Sequence, residues 1–155
     1  MKKLLYAAFL SLALIFISGA FEKIHAQTVS GSIGTVKRGG SVRGTVVLSI
    51  PGGLHVNSSR PNSEYAIPTS VKVSAVGGKV GAVSYPRGRN RKFAFSEDTL
   101  NVYEGRAAFG FNLTVPANFK GNAVKVRAVV RFQACTDEVC YAPKTQEVTL
   151  TAQVR

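Results

Sequence analysis

From Ala107 to Val115 every second residue is apolar: Ala107, Phe109, Phe111, Leu113 and Val115. A period of two sends alternate side chains to opposite faces of a strand, so this segment can bury one whole face. Shorter versions recur along the chain. Val42, Val46, Leu48 and Ile50 alternate with Arg43, Thr45, Val47 and Ser49 before Pro51-Gly52-Gly53 stops the run. Val71, Val73 and Ala75 alternate with Lys72, Ser74 and Val76 ahead of Gly77-Gly78, and a short run follows from Lys79 to Tyr85. Asn122 to Gln133 and Gln146 to Val154 complete the set, the last with Val148, Leu150 and Ala152 in register. No long stretch repeats with a period of 3.6. Short strands parted by Gly, Pro and Asn at about ten-residue intervals predict an all-β domain, a β-sandwich with a barrel as the alternative. The longest irregular stretch, Tyr85 to Thr99, reads as a basic loop carrying Arg87, Arg89, Arg91 and Lys92 just before Phe93 and Phe95.

The first residues have the pattern of a secretory signal. Lys2 and Lys3 precede an apolar run from Leu4 to Ile17, and small residues follow at Ser18, Gly19 and Ala20. The run falls short of the ~20 residues a membrane-spanning helix needs. Cleavage is expected after Ala20 or Ala26, making residues 1–26 a signal peptide and 27–155 one exported, soluble domain. No cysteine lies near either point to carry a lipid anchor, and no later segment is apolar enough to cross a bilayer. A domain of this length buries a core without needing disulfides. Loss of Lys2, Lys3, Lys23 and Glu22 with the leader lowers the net charge from +12 to +10. Such a charge favours acidic partners and surfaces; nucleic acid is not an expected partner for an exported chain.

The two cysteines lie in Gln133-Ala134-Cys135-Thr136-Asp137-Glu138-Val139-Cys140-Tyr141-Ala142-Pro143, between the last two expected strands. In an oxidising compartment they are expected to pair. Two thiolates without further cysteine or histidine nearby do not make a zinc site, so no metal is expected. A staple for the hairpin is one reading. A ring this small gives roughly 2 kcal/mol by loop closure, against ~4–5 for a bridge spanning a hundred residues. Exchange chemistry is the other reading, and it requires an accessible sulfur and a thiolate. Asp137 and Glu138 inside the ring work against a thiolate, so a compensating cation would have to come from elsewhere, with the Arg87 to Lys92 segment as the candidate. No phosphate loop, nucleophile elbow or catalytic carboxylate pair is present, and no cofactor is expected.

The cysteine segment, as Gln133-x-Cys135-x-Asp137-x-x-Cys140-Tyr141-x-Pro143-x-Thr145, resembles the amino-terminal periplasmic domain of thiol:disulfide interchange protein DsbD in a stand-alone form. Two further patches carry the resemblance. One is Gly53-Leu54-His55-Val56-Asn57-Ser58 with Pro61 and Glu64-Tyr65-x-Ile67-Pro68-Thr69; the other is Phe93, Phe95 and Ser96 with Val102-Tyr103-Glu104-Gly105. The resemblance implies an immunoglobulin-like β-sandwich and a redox pair, Cys135 and Cys140. That pair would accept electrons from a membrane electron-transfer protein or thioredoxin-like domain and pass them to oxidised periplasmic thiol proteins, including factors of cytochrome c maturation. It also implies an aromatic cap over the disulfide, matched by Phe93 or Phe95, and favours Cys140 as the sulfur facing clients. The chain departs from the best-known members in a ring one residue shorter and in Arg91-Lys92 where their cap loop is acidic. With no further domain following, the electron donor is expected to be a separate chain.

Three other residues bear on the site. His55, the one histidine left after cleavage at Ala26, could serve a thiol as acid or base, or simply be packed. Phe93 and Phe95 alternate as strand residues do, which puts one in a core and leaves the other exposed. Tyr141 could shield the Cys140 sulfur or fill the sandwich edge. A non-redox immunoglobulin-like binding module with a structural disulfide is the competing reading of the whole chain.

Overall fold

The computed structural model describes residues 26–155. The expected leader, apart from Ala26, lies outside the described residues. Among the described residues eleven strands follow one another: β1 (Thr28–Ile33), β2 (Ser41–Ser49), β3 (His55–Asn57), β4 (Ser70–Ala75), β5 (Lys79–Val80), β6 (Arg89–Lys92), β7 (Thr99–Tyr103), β8 (Arg106–Thr114), β9 (Ala123–Phe132), β10 (Ala134–Cys135) and β11 (Lys144–Gln153). There is no helix among the described residues, and so none able to span a membrane.

Two antiparallel sheets, β1-β2-β8-β5 and β11-β9-β4, face each other as a sandwich. The alternating residues of β8 supply one inner face: Ala107, Phe109, Phe111 and Leu113 are all buried, with Val115 just beyond. Val124, Val126, Ala128, Val130 and Phe132 of β9 meet them from the other sheet, flanked by Leu150 and Ala152. Gly44 of β2 pairs with Phe111 across the ladder. A Cβ at Gly44 would stand 2.3 Å from Phe111 Cζ, so the glycine makes room for that ring.

A third sheet, β10-β3-β7-β6, extends from one end of the sandwich. It is built from continuations of the long strands. β3 follows β2 after the Pro51-Gly52-Gly53 turn, β7 runs into β8 through Gly105 at φ 65°, and β10 follows β9. Directly opposed residues of antiparallel strands share a face, and that face alternates along each strand. Val56, Tyr103 and Ala134 therefore face the main core. Cys135, His55, Asn57, Val102 and Leu100 share the opposite face, where Phe93 packs with Leu100 and Val102 in a small second core.

Two expectations need correction. The stretch from Tyr85 to Thr99 is not a loop throughout, because Arg89–Lys92 pair with Thr99–Leu100-Asn101-Val102 as strand β6. The run from Lys79 to Tyr85 is strand only at Lys79–Val80, with a single further bridge from Ser84 to Gly110.

Candidate functional site

Cys135 and Cys140 face each other across a tight turn. Tyr141 N–H donates to Ala134 O at 2.9 Å and Thr136 N–H donates to Val139 O at 2.8 Å. Those two bonds flank the cysteines, which thus occupy a non-hydrogen-bonded pair, the position where antiparallel Cα atoms come closest. Here they stand 4.0 Å apart and the disulfide joins them. The turn is held by side chains as well. Thr136 Oγ1 accepts the amides of Glu138 and Val139 at 3.2 and 3.0 Å, substituting for a backbone carbonyl. Gln133 Nε2 donates to Tyr141 O at 3.1 Å. None of these bonds involves sulfur.

The two halves of the disulfide differ in burial. Cys135 has 0% of its surface exposed, because β10 lies against β3 with Cys135 opposite His55. Cys140 is exposed at the rim of the turn, between two exposed apolar residues, Val139 and Tyr141. Asp137 and Glu138 at the tip are exposed too.

His55 is the polar centre of the buried face. It is 2% exposed, and its Nε2 has no hydrogen-bond partner. Phe93 stacks on its ring with centroids 4.1 Å apart, and Phe95 stacks on Phe93 at 5.3 Å and lies 6.5 Å from the imidazole. Burial pushes the imidazole below its ordinary range. Asp137 and Glu104 pull it back up, and Arg91 adds to the depression. Arg91 is itself paired with Glu104 at 3.4 Å. Two residues along β3, Asn57 donates Nδ2 to Ile67 O at 3.1 Å and to Gln133 Oε1 at 3.4 Å, while its Oδ1 is unpartnered.

The structure thus brings Cys135, Cys140, His55, Phe93 and Phe95 to one end of the sandwich. Phe93, 5% exposed, is a core residue of the third sheet; Phe95, 41% exposed, is the ring left at the surface. The basic strand β6 lies at the opposite edge of the third sheet from β10. β3 and β7 intervene between β10 and β6, a separation of about 14 Å at ~4.8 Å per strand, and Glu104 engages Arg91. Sequence reasoning overlooked Asn57 and Glu104 as neighbours of the site and the clamp made by the Gln133 side chain. The His55-Val56-Asn57 spacing was the available signal, since residues two apart on a strand share a face.

The profile described as "Thiol:disulfide interchange protein DsbD, N-terminal" matches residues 33–152, most of the chain. The chain belongs to the DsbD N-terminal family. Among solved structures, the reduced N-terminal domain of DsbD from Neisseria meningitidis is 18% identical, with a TM-score of 0.47 over 81% of this chain and 86% of that one. The N-terminal periplasmic domain of ScsB from Proteus mirabilis is 13% identical, with a TM-score of 0.54 over 83% of this chain. This chain spans 47% of the ScsB chain. Among curated proteins nothing matches. As a DsbD N-terminal domain the fold is an immunoglobulin-like β-sandwich. Family membership and the disulfide-bonded pair together assign the chain to thiol–disulfide interchange at the family level.

Proposed function

We propose that the domain relays electron pairs through Cys135–Cys140 in the periplasm, between a membrane-embedded or thioredoxin-like donor and oxidised exported thiol proteins. The observation that carries this reading is the asymmetry of the disulfide, one sulfur's residue sealed against β3 and the other's exposed on the turn. A thiolate of the donor attacks Cys140 Sγ, the Cys135–Cys140 bond breaks, and Cys135 leaves with the electron pair. The donor's second thiolate then attacks the mixed disulfide and frees Cys140, so the donor is oxidised and the domain reduced. Reduction of a client runs through the same steps in reverse. Phe95 serves as the cap's exposed aromatic, while Val139 and Tyr141 give a docking partner apolar surface around Cys140.

Single-cysteine variants test the assignment. Cys135→Ser leaves the exposed thiol and should form a mixed disulfide with an oxidised thioredoxin-like protein. Cys140→Ser leaves only the buried thiol and should react at least about tenfold more slowly. Equal rates, or a faster Cys135, would overturn the choice of attacked sulfur. Failure of both variants to react would leave the non-redox binding module.

A further inference from the structure

Exchange at Cys140 has a consequence at Cys135. This cysteine departs as a thiolate when the bridge opens and attacks Cys140 Sγ when it closes. It does so from a fully buried position, where a thiolate is disfavoured and a thiol ionises poorly. The group facing it is His55. The two are directly opposed in the β10–β3 ladder, which sets side chains on one face with Cβ atoms about 4.5–5.5 Å apart. His55 is also a buried polar side chain with an unpartnered nitrogen, Nε2, a situation that native folds seldom leave without a reason. Resting on the exchange reading above, we propose that His55 is the acid–base partner of Cys135, its Nε2 taking the Sγ proton as Cys135 attacks and returning it as Cys135 leaves.

Closing the bridge then balances as follows. In the mixed disulfide, Cys140 Sγ is bonded to a client sulfur and Cys135 is a thiol. Cys135 Sγ attacks Cys140 Sγ, its proton passes to His55 Nε2, and the bond to the client sulfur breaks. The client leaves as a thiolate with the electron pair, and the imidazolium gives its proton to solvent. Opening is the reverse, with the imidazolium protonating the departing Cys135. The surroundings suit both forms. Burial keeps the ring neutral and so able to accept a proton, whereas Asp137 on the turn and Glu104 after β7 favour the imidazolium once formed. Arg91 on β6 opposes it and is engaged by Glu104. Phe93 and Phe95, stacked along the ring, add no charge of their own.

The test uses the reduced protein and a substoichiometric amount of the chromogenic disulfide 5,5′-dithiobis(2-nitrobenzoate). Attack by Cys140 releases the first chromophore and ring closure by Cys135 releases the second. In His55→Gln the first phase should stay within about twofold, while the second slows about a hundredfold and loses its histidine-like pH inflection. Asp137→Asn, at an exposed turn position, should move that inflection to lower pH. An unchanged second phase in His55→Gln, an equal slowing of both phases, or an unmoved inflection in Asp137→Asn would overturn the proposal. Those results would leave exchange itself standing. A wild-type protein that releases no second chromophore would instead overturn the exchange reading, and the role of His55 with it.

Discussion

His55 and Asn57 are buried polar side chains on the face where Phe93, Leu100 and Val102 pack, and each keeps one buried atom without a partner. For His55 this has a consequence for stability. An unfolded imidazole titrates near ~6.5, and burial holds the folded one lower. Between the two values the unfolded chain binds more protons, so stability is lost as pH falls below about 6.5 and is untouched above it. Urea unfolding of the wild type should therefore show a midpoint that drops from pH 7 to pH 5.5 more steeply than that of His55→Gln. Parallel slopes would mean that the imidazole is not held neutral. The cysteine pair and the histidine could be picked out from residue type alone. Their adjacency could not, because it depends on β10 lying beside β3, a pairing between segments far apart in the chain.

At the scale of the element, legibility followed strand length. β2, β8, β9 and β11 each run nine or ten residues, long enough for the period of two to declare itself and for the buried face to be named. β6 could not declare itself, since Arg89, Asn90, Arg91 and Lys92 are all exposed and carry no alternation; its pairing with β7 makes it a strand. β3 and β10 span three and two residues, too few for any pattern. The elements that build the site are thus the ones least readable in the sequence. Packing between long strands is also where a single methyl matters most. Gly44→Ala would drive a Cβ into Phe111, and overpacking of this kind typically costs about 1–3 kcal/mol. Chemical denaturation of the oxidised protein should register that loss. A neutral effect would show that the β2–β8 pair yields more readily than its register implies.

For the whole molecule, the sandwich serves as a rigid base and the third sheet as the working end. Each of β3, β7 and β10 continues a strand anchored in the main core, so Cys135 and His55 are fixed by the fold. Cys140, Val139, Tyr141 and Phe95 form the accessible side of the same end. This division, one cysteine held in the sheet and the other exposed on the turn, is the arrangement that the proposed exchange at Cys140 uses. The reduction potential of Cys135–Cys140, obtained by equilibrating the protein with glutathione or dithiothreitol buffers and trapping free thiols, tests it most directly. The account predicts a value in the range of exchange proteins, roughly −180 to −270 mV, while a value below about −300 mV would contradict it and mark the bridge as structural.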